Sequence, residues 1–359
     1  MKDNDNPIHI ALFAEIEYGK ISGPSNSVTM LAKSLNNIGI VCDVYSILNK
    51  DKYLEVNGIE IHHLSSFYKN FARYDLCVLE GAFRPKMWAI ALFCKFNMIK
   101  FLVSPRSNLM RPAFKKAILK KVLALPIVIT YLKISNGIHF LSNEERNNSF
   151  HFGVKSFVAK NGISFNLESS NAELFAKRNI KEVVFIGRFD IYHKGLDILT
   201  SYINDNKKIL RENDFHFSLY GPDYRGGKKI IKDYISNNSL EDLISVNQPL
   251  FGVEKERVLS RGGFFIHLSR YEGQPQAVLE AIKFGCVPIV TDGCNMNEVI
   301  EKLNYGIIFD GKTCFQEMLC ISYKDYFNYQ SKINFEKDYS WLEAALEFKK
   351  IITEVLKRD

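Results

Sequence analysis

Three common features are missing from this 359-residue sequence, and each absence narrows its function. No uninterrupted apolar run reaches about 18 residues, so no transmembrane helix is predicted. The first residues, MKDNDN, are acidic where a signal peptide is basic, which predicts a protein that stays in the cytosol. No CxxC pair occurs, so a zinc site is not expected and the thiols are predicted to be reduced and mostly buried. The seven cysteines are Cys42, Cys77, Cys94, Cys286, Cys294, Cys314 and Cys320.

Acidic residues are also missing from one long stretch. Residues 81–143 contain eleven basic residues and no acidic one. Residues 1–165 carry 21 basic against 12 acidic residues, whereas the remainder carries 26 against 28. This asymmetry predicts an anionic partner for the first half: membrane headgroups, a lipid phosphate or nucleic acid. No aromatic-basic platform or helix-turn-helix pattern accompanies the charge, which argues against nucleic acid.

What the sequence does contain is an alternation of apolar strands and helical segments. With 47% hydrophobic and 24% charged residues, the chain is expected to be globular and is long enough for two domains. Its clearest unit runs from Phe264 to Asp292: a buried strand, a polar loop, a helix that begins at Pro275 and ends at Gly285, and a second buried strand. Such a βαβ unit points the N-terminus of its helix at the carboxyl edge of the sheet, where anions are favoured.

Charged residues occur at the predicted strand ends. Glu272 lies in the loop of this unit and Glu280 in its helix, so the two could face one ligand at different depths. The spacing equally allows Glu272 to cap the helix and Glu280 to be a solvated surface charge. Arg188 and Lys194 flank a glycine turn after the strand Val183–Ile186. Two cations beside a helix N-terminus suit a diphosphate, although ordinary solvated charges match this segment too.

The first half begins with another βαβ pattern, in which a flexible loop at Gly23–Ser25 is predicted to lie above the sheet. It lacks GxGxxG, so no dinucleotide fingerprint is present. A helix is predicted over Arg111–Leu125, with basic and apolar residues on opposite sides. Either it packs on the sheet with solvated lysines, or its basic side meets an anionic membrane. The basic residues are Lys115, Lys116 and Lys120, with Lys121 at the border; the apolar ones are Phe114, Ile118, Val122 and Leu125.

In this order, the segments resemble the retaining glycosyltransferases of family 4. The strongest part is Glu272-x7-Glu280 within SRYEGQPQAVLEAIKFGCVPIVTD, followed by GRFDIYHKG at 187–195. The resemblance implies an α/β, GT-B fold of two Rossmann-like, doubly wound domains facing a central cleft. The domains would span 1–165, on the acceptor side, and 166–338, binding nucleotide sugar, and residues 339–359 would form a helix crossing back to the first. Weaker elements are GPDYRGG at 221–227, Asn161–Ile163, the Gly23 loop and SPRSNLMRP at 104–112.

The resemblance also implies roles for single residues. Arg188 and Lys194 would hold the donor's diphosphate and stabilise the charge that develops as it leaves, and Glu272 would contact the donor sugar. Glu280 would bind the ribose hydroxyls. Because these cations and helix dipoles would neutralise the diphosphate, no metal and no other cofactor is expected. The other donor-binding residues would be Gly187, Gly273, Gln274, Pro275, Gln276, Pro249, Phe251 and Gly23.

Two positions depart from the family's pattern. Many members carry a histidine in the loop after a middle strand of the N-terminal domain, whereas the matching loop here reads Ser104–Ser107. Either Arg106 takes part of that contact with sugar or acceptor, or the acceptor site differs. The usual glycine pair after the central unit is altered to the sequence Asp292–Gly293–Cys294–Asn295–Met296–Asn297, and Glu298 remains. These departures bear on the identity of the donor sugar more than on the reaction class.

The implied function is a retaining, metal-independent hexosyltransferase of bacterial surface polysaccharide synthesis (O-antigen or other lipopolysaccharide, capsule or exopolysaccharide). It would move a sugar from a nucleotide-diphosphate sugar to a glycan or lipid-linked acceptor. It would be cytoplasmic, peripheral on the inner face of the cell membrane, with anionic lipid as a partner and no nucleic acid. Two alternatives stay open: a non-catalytic partner of another transferase that binds nucleotide sugar or lipid, and a sugar-nucleotide epimerase of the same fold.

Overall fold

The computed structural model describes residues 7–17, 23–48, 53–115, 118–164, 178–312, 317–318 and 335–357. The chain divides into two compact units, one of residues 1–164 and 336–359 and the other of residues 165–335. The segment predicted to connect the domains, 164–180, falls mostly outside the described residues, as do Lys116, Cys314 and Cys320 entirely. The five cysteines that are described are all free and buried, as expected for reduced thiols.

The first unit is built on one eight-stranded sheet. Its strands are β1 (His9–Ala14), β2 (Val41–Ser46), β3 (Glu55–Val56), β4 (Ile59–His63), β5 (Leu76–Glu80), β6 (Lys100–Ser104), β7 (Ile138–Phe140) and β8 (Ser156–Val158). They lie in the order β3-β4-β2-β1-β5-β6-β7-β8, and every pair is parallel except β3 with β4. Parallel neighbours need crossover connections, which the helices provide.

Helices cover both faces of this sheet. They are α1 (Gly23–Asn37), α2 (Leu64–Asn70), α3 (Pro85–Phe96), α4 (Arg111–Lys115), α5 (Ile118–Lys133), α6 (Asn143–Asn147), α13 (Phe335–Tyr339) and α14 (Trp341–Leu356). Alternate residues of β1 enter different cores: Ile10 and Leu12 pack in a cluster that includes Phe348 of α14, and Phe13 packs in a cluster with α3 and α5. A strand that is apolar throughout therefore has both sides buried, as is usual for parallel sheets.

The second unit has a six-stranded sheet that is parallel throughout, in the order β11-β10-β9-β12-β13-β14. Its strands are β9 (Asn179–Ile186), β10 (His216–Tyr220), β11 (Ile244–Asn247), β12 (Gly262–His267), β13 (Val287–Val290) and β14 (Ile307–Ile308). Its helices are α7 (Leu196–Asp205), α8 (Lys207–Glu212), α9 (Gly227–Asn237), α10 (Gly252–Arg261), α11 (Gln276–Lys283) and α12 (Asn297–Leu303). The predicted βαβ unit corresponds to β12, α11 and β13.

The prediction of a flexible loop at Gly23 is wrong. Gly23 is the first residue of α1, and its φ angle lies outside the left-handed range. Pro24 follows it, and a proline suits the first helical turn because its fixed φ matches the helix and its missing N–H has no partner there. The pair therefore starts a helix earlier than the apolar spacing from Val28 indicated.

The helix predicted over Arg111–Leu125 differs from the observed helices in where it ends and in which of its sides packs on the sheet. Helix α5 continues through Pro126 to Lys133, because Val128, Tyr131 and Leu132 are buried against the sheet. That burial outweighs the hydrogen bond that Pro126 cannot donate. Two residues of the side predicted to pack on the sheet, Ile118 and Val122, are instead each 54% exposed, whereas Phe114 and Leu125 of that side are half-buried.

Lys121 also differs from its predicted place at the border of a basic side. Its Nζ donates a hydrogen bond to the carbonyl of Ala113 (2.6 Å) and lies 5.0 Å from the centre of the Phe83 ring. The side chain is therefore turned towards the protein. Lys115 and Lys120 are exposed, as predicted.

Candidate functional site

Three connections meet at the carboxyl edge of the second sheet. Strand β9 leads into the turn 187–195, β12 into the loop 268–275, and β13 into the 3-10 turn Asp292–Cys294. The N–H of Glu272 donates to the carbonyl of Gly293 (2.8 Å), which ties the second connection to the third. Ligands of open α/β folds bind at this edge, so the side chains gathered here form the candidate site.

Glu272 lies at the centre of this cluster and its side chain is only 14% exposed. Its Oε1 accepts hydrogen bonds from Nζ of Lys194 (2.6 Å) and Oγ of Ser269 (2.9 Å), and Nε2 of His267 lies 3.3 Å away. Burial alone would raise the pKa of Glu272, but the positive charge of Lys194, with the nearby His193, lowers that pKa well below its usual range. The carboxylate is therefore ionised at neutral pH and held by an ammonium group.

His193 is a site residue that the sequence did not single out, although it directly precedes Lys194. Its Nε2 donates to the carbonyl of Tyr271 (2.8 Å), and its Nδ1 accepts from the guanidinium of Arg188 (3.1 Å). Because a carbonyl only accepts and a guanidinium only donates, the two partners select the neutral tautomer with the proton on Nε2. Burial lowers the pKa of His193 to about 4, against the opposing charge of Glu272.

His267 was predicted only as a strand residue, the last but one of an apolar run. It is 1% exposed, and its Nε2 lies 3.3 Å from Oε1 of Glu272 and 3.4 Å from Nζ of Lys194. Burial and then the charge of Lys194 lower its pKa. A buried, neutral imidazole thus lies against both members of the Lys194–Glu272 pair.

The depressed pKa of His193 predicts a pH-dependent stability. In the unfolded chain His193 takes up a proton near its ordinary pKa of 6.5, whereas in the folded chain its pKa is about 4. Between these two pH values the unfolded chain binds more protons, so folding stability falls as pH falls and rises as pH rises. Between pH 7 and pH 5, the free energy of unfolding should fall by about 2 kcal/mol from this group. Urea unfolding of the wild type and His193→Gln at both pH values measures it, and the variant should show the smaller pH dependence.

His216 provides the control for that comparison. It is half-buried, and its pKa is raised by a hydrogen bond with Glu182, so its contribution is present at low pH and lost as pH rises. His216→Gln should therefore steepen the rise of stability with pH, whereas His193→Gln flattens it. Equal pH dependence in His193→Gln and the wild type would contradict the assignment.

Gly195 lets the turn 187–195 approach the loop 268–275. Its φ is +62°, and a Cβ at this position would lie 1.9 Å from the carbonyl oxygen of Leu268. Only glycine permits both the left-handed conformation and the backbone contact. The contact sets Lys194, the preceding residue, against Glu272.

The N-terminus of α11 faces the same edge. The helix begins at Gln276, one residue after the predicted start at Pro275. No side chain caps this end, so the interpretation of Glu272 as a helix cap is wrong. Gly273, Gln274 and Pro275 are buried, and Gln276 is the first helical residue. Within the part of the chain that is described, Nε2 of Gln276 is buried without a hydrogen-bond partner. Open N–H groups and an unpaired amide suit a bound anion or sugar hydroxyl.

Glu280, in the next turns of α11, is not a solvated surface charge. Its side chain is 27% exposed and forms an ion pair with Lys255 of α10, a residue that the sequence did not identify. Phe251 directly precedes α10 and is 61% exposed, and Pro249 is half-buried. The pairing orients the Glu280 carboxylate from a second helix.

Arg188 is the more accessible of the two predicted diphosphate ligands. Its side chain is 46% exposed, stacks 4.9 Å from the centre of the Tyr224 ring, and lies 3.9 Å from Asp190. Gly187, before it, donates its N–H to the carbonyl of Tyr220, which continues the sheet into the turn. Lys194 is paired with Glu272, so Arg188 is the cation presented to solvent.

Arg106 of the first unit lies in a polar cluster of its own. Its Nε donates to Glu80 (2.8 Å) and its Nη1 to Asn161 (3.1 Å), and its backbone is left-handed with φ +49°. The side chain is 14% exposed. Burial raises the pKa of Glu80, opposed by the charge of Arg106. A sugar or acceptor contact by Arg106 stays a prediction.

Two other kinds of site are absent from the described residues. No group of three or more His, Cys, Asp and Glu there is arranged to hold a metal ion. None of the described helices combines the length and apolarity required to cross a bilayer.

Residues 180–320 match the protein family described as Glycosyl transferases group 1. This segment includes all three connections of the candidate site. No curated protein sequence matches the chain.

Solved structures resemble the whole chain. Sucrose-phosphate synthase from Thermosynechococcus elongatus superposes with a TM-score of 0.73 at 13% identity, covering 97% of this chain and 99% of that one. HepE of Anabaena, in complex with UDP and glucose, superposes with a TM-score of 0.72 at 13% identity, covering 97% of this chain and 100% of that one. A glycosyltransferase from Rickettsia africae superposes with a TM-score of 0.69 at 15% identity, covering 99% of this chain and 100% of that one. The chain therefore has a GT-B-like α/β fold, with two sheets of mostly parallel strands.

Proposed function

We propose that this chain is a retaining glycosyltransferase that uses a nucleoside-diphosphate sugar. The observation that supports it most is the Lys194–Glu272 ion pair, whose side chains are each 14% exposed, at the carboxyl edge of the second sheet. The pair lies inside the segment that matches Glycosyl transferases group 1. The structural similarity to a protein bound to UDP and glucose is consistent with this donor class. The donor would bind to the second unit, its diphosphate at Arg188, Lys194 and the N-terminus of α11.

The charges of the site suit departure of a diphosphate. As the bond between the sugar's anomeric carbon and the diphosphate oxygen breaks, negative charge grows on that oxygen, and Lys194 and Arg188 stabilise it. Glu272 holds Lys194 in place and contacts the donor sugar, and Glu280 binds the ribose hydroxyls. The acceptor oxygen attacks the anomeric carbon on the face that the diphosphate leaves, which retains the configuration, and its proton passes to the departing phosphate.

The acceptor would be a glycan or lipid-linked glycan of bacterial surface polysaccharide synthesis, reached at the inner face of the cell membrane. The charge distribution supports this placement, because residues 81–143 of the first unit contain eleven basic residues and no acidic one. A peripheral position would bring the first unit to an acceptor that is anchored in lipid.

Metal independence is part of the proposal. Arg188, Lys194 and the N–H groups of α11 would neutralise the diphosphate, a task that Mg²⁺ performs at many other phosphate sites. Nucleotide release should therefore proceed at an unchanged rate when EDTA is added to the purified protein. Loss of release in EDTA, restored by added Mg²⁺, would show that a metal ion is required.

The function is tested by following free nucleotide. The purified protein is incubated with UDP-, GDP-, ADP- and dTDP-sugars, with and without a lipid extract from bacterial membranes. We expect release from one donor, stimulated by the extract, and its loss in Glu272→Ala. Transfer is verified by mass spectrometry of the lipid fraction, which should gain one hexose.

Other outcomes identify the alternatives. Saturable donor binding without release under any condition would indicate a non-catalytic partner of another transferase. Conversion of one nucleotide sugar into its epimer, seen by chromatography without an acceptor, would indicate an epimerase. Either result would overturn the proposal of glycosyl transfer.

A further inference from the structure

Exposed apolar side chains concentrate in one short part of the first unit. Of the nineteen large apolar side chains that are exposed among the described residues, eight lie between residues 92 and 127. Five of them are on α5: Ile118 (54% exposed), Leu119 (78%), Val122 (54%), Leu123 (80%) and Ile127 (50%). We call these five side chains the α5 ridge. The other three, Leu92, Phe96 and Met98, belong to α3 and the residues that follow it.

The ridge runs along the outer side of α5. Ile118 and Val122, Leu119 and Leu123, and Leu123 and Ile127 are each four positions apart, so the five side chains line one side over more than two turns. The opposite side is buried through Val128, Tyr131 and Leu132, which pack in the same core as α3. The helix is thus fixed to the sheet, and its outward side is apolar where a water-facing helix carries polar residues.

Charge around the ridge indicates what covers it. Lys115 and Lys120 are exposed beside the apolar side chains, and no acidic residue occurs anywhere in 81–143. A soluble surface mixes both signs, whereas a helix that lies in a membrane interface combines apolar side chains with lysines that reach the headgroups. An anionic lipid surface satisfies both features, since acyl chains take the apolar side chains and headgroups take the ammonium groups.

We propose that α5 docks the first unit on anionic lipid, with the ridge inserted at the boundary between headgroups and acyl chains. This inference rests on the peripheral membrane placement within the proposed function, and it assigns the contact to apolar residues. The contact predicted from the sequence was made by lysines alone, and Lys121, one of them, is turned inward.

Vesicle flotation tests the inference. The full chain is mixed with vesicles of phosphatidylcholine, alone or with phosphatidylglycerol. We expect flotation with the anionic vesicles and little with the neutral ones. The double substitution Leu119→Ser with Leu123→Ser should weaken binding by about 10- to 100-fold, because each leucine loses most of its transfer from water. Both side chains are at least 78% exposed, so the fold is expected to be unaffected.

A matched control is available on α14. Leu342 (55% exposed) and Leu346 (39%) are also leucines four residues apart on a helix of the first unit. Leu342→Ser with Leu346→Ser should float as well as the wild type. Flotation of the Leu119/Leu123 variant equal to that of the wild type would overturn the inference. So would equal binding to neutral and anionic vesicles, or a ridge-dependent dimer in sedimentation that does not bind lipid.

The result can be separated from that of the proposed function. Donor cleavage in the absence of lipid acceptor depends on the second unit and should be equal in the wild type and the Leu119/Leu123 variant. Flotation with anionic vesicles but no nucleotide release from any donor would contradict the proposed function and still support the docking surface. Nucleotide release by a protein that does not float with anionic vesicles would overturn the docking surface and leave the proposed function standing.

Discussion

Replacing Lys194 by methionine is expected to lower the rate of nucleotide release by about 10³-fold. The ammonium group lies 2.6 Å from Glu272 and is the less exposed of the two cations of the site, so methionine keeps much of the volume but removes the charge that stabilises the leaving diphosphate. The substitution should also cost about 3 kcal/mol of folding stability, because it leaves the carboxylate of Glu272 buried without its ion pair. Release at saturating donor and urea unfolding measure the two effects.

A double variant separates catalysis from folding. Adding Glu272→Gln to Lys194→Met removes the unpaired charge and should restore most of the stability, while nucleotide release stays low. Lys208→Met, at an exposed lysine of the same unit, should match the wild type in both measurements. Recovery of release in the double variant, or a loss below about tenfold in Lys194→Met, would show that Lys194 acts only in folding.

Replacing Gly195 by alanine should destabilise the second unit by about 4 kcal/mol and abolish release from the protein that remains folded. The left-handed backbone accounts for about 1 kcal/mol of this. The larger part arises because the new Cβ would lie 1.9 Å from the carbonyl oxygen of Leu268. One of the two backbones must move, and Lys194 then separates from Glu272.

Gly226 is the matched control. It also has a left-handed backbone, with φ +80°, and directly precedes a helix of the same unit, but a Cβ there meets nothing within 4 Å. Gly226→Ala should therefore cost only about 1 kcal/mol and leave release near the wild-type rate. Equal free energies of unfolding for the two variants would contradict the backbone contact assigned to Gly195.

The strand and helix units of the second sheet could be predicted because apolar runs, a proline and a glycine mark them locally. Phe264–Leu268 and Val287–Val290 are apolar throughout, as strands covered on both faces must be. The order of these units also placed Glu272 and Lys194 at strand ends. Their ion pair joins residues 78 positions apart, and no local pattern specifies it.

Partners that act from other elements were not predictable for the same reason. Lys255 pairs with Glu280 from a different helix, and His267 reads as one more residue of a buried strand. On α5 the spacing separated apolar from basic residues, but periodicity alone does not say which side packs on the sheet. The sheet contacts of Val128 and Tyr131, beyond the predicted end of the helix, determine that.

The proposed nucleoside-diphosphate site is tested most directly by calorimetric titration of the purified chain with UDP, GDP, ADP and dTDP. We predict saturable binding of at least one of them, with one nucleotide per chain. Arg188→Ala and Glu280→Gln should each weaken that binding by about tenfold or more, since each removes a charged contact to the ligand, and Lys208→Met should not. Absence of binding by all four nucleotides, or binding that both substitutions leave unchanged, would contradict a donor site at the carboxyl edge of the second sheet.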